Sequence, residues 1–178
     1  VDQKDDWSFR RSKWFNHVGN ECKNVQKNVG LLDMTAFAKC RISGPGAEKF
    51  LDTLIANKLP KKVGRVNLCH ALNTKGGVLS EYTIAKEKDD SFYIVSAGAF
   101  QRLDHDWIHK WMPKDRSVTF ENLTNSMGVL VIAGPKARNL MEKVSSSDFS
   151  NDKFPWLSAQ KIDVGLAPSI AMRIRRLY

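Results

Sequence analysis

One ten-residue pattern occurs twice in this chain, and it restricts the available folds more than any other feature. Ile42-Ser43-Gly44-Pro45-Gly46-Ala47-Glu48-Lys49-Phe50-Leu51 matches Ile132-Ala133-Gly134-Pro135-Lys136-Ala137-Arg138-Asn139-Leu140-Met141 in its Ile, Gly, Pro and Ala and in its closing apolar pair. The first copy follows an alternating run, Phe37 to Ile42, that reads as a strand. Pro45 then stands near the first turn of a helix whose Ala47, Phe50, Leu51, Leu54 and Ile55 share one face. The second copy follows Gly128-Val129-Leu130-Val131-Ile132, a continuous apolar run expected to be a strand buried on both faces. A duplicated strand, Gly-Pro break and helix around one sheet is the simplest architecture, so the fold class is α+β with an antiparallel or mixed sheet. A Gly-Pro helix start also points backbone N–H groups toward any nearby anion. Neither copy carries a glycine-rich phosphate loop, which favours a plain strand-to-helix turn.

Between the copies lies a hairpin with one carboxylate at a defined place. Asn73-Thr74-Lys75-Gly76-Gly77 supplies turn residues, and Val78-Leu79-Ser80-Glu81-Tyr82-Thr83-Ile84 alternates as a strand. Val78, Ser80, Tyr82 and Ile84 share one face; Leu79, Glu81, Thr83 and Ala85 share the other. Glu81 either meets solvent or is held in a pocket that uses its charge. Lys86-Glu87-Lys88-Asp89-Asp90 is expected to be a polar turn, followed by an antiparallel strand, Ser91 to Ser96, with Tyr93 and Val95 on one face. An aromatic and a β-branched side chain near a carboxylate either pack in a core or line a site for a flat ligand.

The rest of the chain supplies helices and a lead-in. Val1 to Asn16 is polar but carries Trp7, Phe9, Trp14 and Phe15, and is expected to pack on this domain or on a preceding one. Glu21 to Val29 has helical spacing, as does Ala99 to Trp111, where Phe100, Leu103, Trp107, Ile108 and Trp111 form a stripe ended by Pro113. His105 and His109 have metal-ligand spacing but lack the accompanying Glu, so a solvated polar face is expected. His17 and His70 read as isolated, with no nucleophile pattern beside them. Ser117 to Asn122 and Lys161 to Gly165 read as short strands around a Ser-rich loop, and Ile170, Met172 and Ile174 alternate as the chain ends in mid-strand. That pattern belongs to an edge strand or to a protein that continues.

Charge and cysteine content narrow the partners. With 28 Lys and Arg against 19 Asp and Glu, the net charge is +9, which favours anionic ligands: polyanions, acidic proteins or small polycarboxylates. Basic residues cluster at Lys58, Lys61, Lys62 and Arg65 and at Arg173, Arg175 and Arg176. A basic nucleic-acid-binding domain lacks a reader motif and an aromatic platform here, so no nucleic-acid partner is expected. Cys22, Cys40 and Cys69 have no metal-ligand spacing and read as reduced thiols of an intracellular protein. No stretch reaches the roughly 20 apolar residues of a membrane span, so no membrane partner is expected.

Five segments together resemble a known family. Val29-Gly30-Leu31-Leu32-Asp33-Met34-Thr35, Ile42 to Ala47, Leu72-Asn73 through Gly76-Gly77 to Glu81, Tyr93-Ile94-Val95-Ser96 and Ile132-Ala133-Gly134-Pro135 are similar to the folate-binding domain of the glycine-cleavage T-protein (aminomethyltransferase) family. Trp14-Phe15 and the form of the Gly30-to-Thr35 segment resemble the branch found in dimethylglycine and sarcosine dehydrogenases. The resemblance implies an aminomethyltransferase-type domain over residues 17–178, with residues 1–16 as lead-in, that binds tetrahydrofolate for one-carbon transfer. It implies a partner too, an FAD-dependent dehydrogenase portion on the same chain or another subunit, which oxidises an N-methylamine so that 5,10-methylenetetrahydrofolate forms. FAD would bind only in that portion, outside this chain. The family's Asp-Asp pair stands here as Ser80-Glu81, making Glu81 the implied acid-base carboxylate, with Leu68, Tyr93 and Val95 at positions lining the pterin pocket. A Tyr-Thr-Gly-Glu type motif is expected beyond Tyr178. A non-catalytic folate-binding or assembly module is the alternative within the family, and the implied location is the cytoplasm, or the mitochondrial matrix in a eukaryote.

Overall fold

The computed structural model describes residue 4 and residues 7–174. Helix α1 (Phe15–Lys27) and strand β1 (Gly30–Asp33) lead into β2 (Ala38–Ser43) and α2 (Ala47–Leu54). Strands β3 (Val66–Leu72), β4 (Val78–Lys88) and β5 (Ser91–Ser96) follow, then α3 (Gln101–Trp111), β6 (Thr119–Asn122), β7 (Leu130–Ala133) and α4 (Ala137–Val144). A hairpin of β8 (Ser158–Val164) and β9 (Ala167–Arg173) completes the order.

The duplication is wider than the sequence repeat. The series α1-β1-β2-α2 recurs as α3-β6-β7-α4, and the two halves pair crosswise: β2 runs antiparallel to β6, and β7 to β1. Both Gly-Pro turns use the same bonds. Gly46 N–H donates to Ser117 O at 2.9 Å and Lys136 N–H to Asn28 O at 2.9 Å; Ala47 N–H reaches Gly44 O at 2.9 Å and Ala137 N–H reaches Gly134 O at 3.0 Å. Gly44 and Gly134 have φ of 111° and 121°, a region that L side chains rarely enter. The repeat motif is therefore a structural turn that locks each strand to its cross-paired partner.

The two copies do not share a sheet, contrary to the simplest expectation. β2 belongs to a five-stranded sheet of order β3-β4-β5-β2-β6, whereas β7 pairs only with β1, in a two-stranded ribbon, among the described residues. Strand β7 is correspondingly not buried on both faces. Leu130 is 63% exposed and its neighbour Val131 is exposed too, and of the strand only Ile132 is half-buried. The predicted polar turn at Lys86–Asp90 is also corrected: β4 runs through Lys88. Its charges are paired in place, Lys86 Nζ with Glu48 Oε2 at 2.8 Å and Glu87 with Arg41 in a two-pronged contact at 2.6 and 3.2 Å. The lead-in aromatics Trp7 and Phe9 are fully exposed, and α1 begins at Phe15 rather than Glu21 without burying any residue.

The main core lies on one side of the five-stranded sheet. Cys40, Ile42, Tyr82, Ile84, Phe92 and Ile94 meet Phe50, Leu51 and Leu54 of α2 and Ile108 of α3. Of the α3 stripe only Ile108 is fully buried; His105 and His109 both stack edge-on against Phe120, so the pair serves packing onto β6. Asp104 is the polar group of this core. It accepts hydrogen bonds from Ser96 Oγ at 2.6 Å and Tyr82 OH at 3.3 Å, which offset the cost of burying a carboxylate. Arg175 and Arg176 of the C-terminal basic cluster lie outside the described residues.

The three cysteines are free thiols, Cys22 exposed and Cys40 and Cys69 buried. Burial pushes the Cys40 thiol up to about 12 and the Cys69 thiol up to about 11. Because thiolate is the reacting form, a maleimide added to the folded protein adds one label, at Cys22, and three after denaturation. Mass spectrometry counts them; rapid labelling of Cys40 in the folded protein would contradict this packing.

Candidate functional site

Residues directly opposite one another on paired strands project to the same side of a sheet. The register aligns Leu68, Thr83, Val95 and Lys39 across β3, β4, β5 and β2, and beside them Val66, Ala85, Tyr93 and Arg41. His70 pairs with Glu81 one step further along β3 and β4. Leu68, Glu81, Tyr93 and Val95 therefore all lie on the face turned away from α2 and α3. Ser80 lies on the other face and is buried. Of the Ser80-Glu81 pair, only the second position can present a carboxylate on this side.

The face is covered at one end and open at the other. Tyr93 packs with Val66, Ala85 and Leu123 beneath Met127, Ala159 of β8 and Met172 of β9. Leu68 stays 45% exposed despite its apolar side chain, and the Glu81 side chain is 68% exposed. Tyr93 is thus a packed floor group and Leu68 an open one, with half-buried Val95 between covered and open ends. The bordering grooves lie elsewhere. A groove of about 510 Å³ is lined by Thr35, Ala36 and residues 124–128, and it adjoins this face through Met127. Another, of about 470 Å³, lies by Gly98 and His105 at the start of α3. Glu81 lines neither.

Charge on the face is held by specific partners. Lys39 is fully buried and donates from Nζ to Thr35 O at 2.7 Å. Burial lowers its pKa, against the attraction of Asp33. Arg41 joins Glu87 and Glu121, the latter at 2.7 Å, and those hydrogen bonds raise its pKa further. Burial pushes the Tyr93 hydroxyl up to about 12, with nearby Glu87 adding to it. His70, isolated by sequence, sits 3.2 Å from Glu81 Oε2 through Nε2. A cross-strand spacing around the Asn73 turn was the available signal for that contact. No group of three or more His, Cys, Asp or Glu with metal-site geometry occurs among the described residues.

These groups predict an alkaline limit to stability. Cys40, Cys69 and Tyr93 have folded-state values raised above the ordinary 9.0 for thiols and 10.0 for tyrosine. A raised value makes the folded state bind more protons than the unfolded one, so stability present below pH 9 is lost as pH climbs toward 11 to 12. Lys39 acts in the opposite direction but is a single group. Denaturant midpoints should fall across that range, less steeply in Cys40→Ala; a flat profile would contradict the burial of these groups.

The family described as the GCVT N-terminal domain matches residues 4–175 of this chain. The chain belongs to that family. This GCVT-family chain is 37% identical over 168 residues to human mitochondrial dimethylglycine dehydrogenase, covering 94% of the chain and 19% of the relative. It is 30% identical over 167 residues to the sarcosine oxidase alpha subunit of Corynebacterium sp. strain U-96, covering 90% of the chain and 17% of the relative. The chain thus spans about a fifth of the length of these curated relatives. Among solved structures, the glycine cleavage system aminomethyltransferase T of Bartonella henselae shares the fold with a TM-score of 0.70 at 18% identity, over 79% of this chain and 37% of that one. The α+β class and the family resemblance read from the sequence both stand.

Proposed function

We propose that this domain binds tetrahydrofolate and presents it for one-carbon transfer, as the folate half of an FAD-dependent dehydrogenase of dimethylglycine or sarcosine type. The observation that carries the reading is the common sheet face of Glu81, Leu68, Val95 and Tyr93. It combines an open apolar side chain, a packed aromatic floor and one exposed carboxylate, a chemistry suited to a flat heterocycle with ring nitrogens. Tetrahydrofolate supplies the nitrogen that takes up the one-carbon unit. Leu68 and Val95 contribute apolar contact, Tyr93 supports them from below, and Glu81 accepts or returns the proton of that nitrogen and stabilises positive charge developing next to it. The replacement of an Asp-Asp pair by Ser80-Glu81 is compatible with this role, since position 80 faces the core.

The domain so proposed spans residues 17–178 after a lead-in of residues 1–16, and works with the dehydrogenase portion, carrying the FAD, in the same chain or a separate subunit. A cytoplasmic or mitochondrial-matrix setting follows from that partnership; no helix among the described residues is long and apolar enough to cross a membrane. The test is tetrahydrofolate binding by Leu68→Asp and Tyr93→Ala variants. Leu68 is open enough that its substitution leaves the fold intact, whereas Tyr93→Ala also removes packing worth about 3–5 kcal/mol. Both should weaken binding at least tenfold (about 1.4 kcal/mol). Unchanged affinity in Leu68→Asp would count against this face as the folate site.

A further inference from the structure

His70 has two partners whose chemistry fixes its protons. The loop after α2 brings Asn57 Oδ1 to 2.7 Å from the His70 backbone nitrogen and 3.2 Å from the ring Nδ1. A backbone N–H only donates, so the Asn57 atom it meets is the amide oxygen and not the amide nitrogen. Nδ1, facing the same oxygen, must donate as well, and in a neutral imidazole this uses the ring's one N–H. Nε2 is left as a lone pair, and it faces Glu81 Oε2 at 3.2 Å. Two acceptors at that separation repel one another unless a proton lies between them.

We infer that His70, its ring locked by Asn57, is the positioning residue that holds the Glu81 carboxylate on the open sheet face through hydrogen on Nε2. The inference rests on the proposed role of Glu81 in the transfer. With hydrogen on Nε2, Oε2 is engaged by the ring and Oε1 is the oxygen left for a substrate N–H. The cross-strand pairing of His70 with Glu81 makes the arrangement part of the sheet rather than of a loop.

Histidine-selective ¹⁵N labelling of the full chain, read by long-range proton–nitrogen correlation, reports which ring nitrogen carries hydrogen; loss of signals in His70→Ala assigns the ring. The wild-type His70 ring should carry a proton on Nδ1 in every state. The neutral tautomer protonated on Nε2 should emerge in Asn57→Ala but not in Asn57→Asp, whose carboxylate oxygen accepts the same two N–H groups. A wild-type ring protonated on Nε2 alone overturns the inference. In the full-length protein, His70→Ala and Asn57→Ala should lower one-carbon transfer by up to about 10²-fold through a displaced carboxylate, and Asn57→Asp should restore it. Transfer unchanged in His70→Ala but lost in Glu81→Gln would overturn the positioning role and leave the proposed function standing. Transfer unchanged in both variants would overturn the positioning role and remove Glu81 from the chemistry, while folate binding by this face is judged separately by Leu68→Asp.

Discussion

Replacing Glu81 with glutamine should lower the proposed one-carbon transfer to tetrahydrofolate by about 10²–10⁴-fold, the usual contribution of a positioned acid-base group. Glutamine keeps the shape and the hydrogen-bonding reach of the side chain but neither accepts a proton nor carries charge, so the loss isolates the carboxylate chemistry. The fold should be indifferent to the change. The Glu81 side chain is 68% exposed and its ion-pair partner among the described residues is His70, which is itself partly open to solvent; exposed pairs of this kind contribute about 0–1 kcal/mol. Glu81→Asp is the informative companion, because it supplies the aspartate that the family resemblance implies while withdrawing the oxygens by one methylene from His70. Steady-state transfer, with thermal denaturation as control, checks both. A Glu81→Gln enzyme that transfers at the wild-type rate would remove the carboxylate from the chemistry.

Gly44→Ala unfolds the domain or destabilises it by about 4 kcal/mol or more, at the extreme of single-substitution effects. Two costs add. Gly44 has φ of 111°, where a side chain is strained in any surroundings, and a Cβ built there would lie 2.5 Å from Ser117 O, a backbone atom that cannot swing away. Moving Ser117 would also break the Gly46 N–H to Ser117 O bond that joins the start of α2 to the loop before β6. Gly134→Ala should be similarly severe, because its Cβ would meet Asn28 O in the matching turn. Gly76→Ala is the control. Its φ is 81° as well, but nothing lies within 4 Å, so only the conformational term of about 1–2 kcal/mol remains. Chemical denaturation of the three variants separates close approach from backbone strain; equal losses in all three would contradict the crossed-turn account.

The Gly-Pro repeat was legible because its glycines are demanded by backbone geometry, and such demands leave the same residues in both copies. The crossed pairing was not, since which strand meets which depends on long-range partners: nothing local to Ile132 says that its neighbour is Leu31 rather than a strand beside Ile42. The apolar run Val129–Ile132 misled for the same reason, as burial depends on a covering layer and not on the run itself. Charge misled at Lys86–Lys88, where Glu48 and Arg41 neutralise a strand that reads as a turn. Alternation placed Glu81 and Val95 on their faces correctly, a property of the strand alone. His70 was missed because its partners come from a register and from a loop, Asn57, that no periodicity reveals.

The most direct test of the central claim is calorimetric titration of tetrahydrofolate into the full-length protein at low and at high salt, beside Leu68→Asp. The account predicts saturable one-to-one binding whose affinity changes little with salt and is weakened at least tenfold (about 1.4 kcal/mol) in the variant. No binding, or binding that collapses with salt and is matched by a nucleic acid, would contradict it and assign the positive charge of the chain to a different partner.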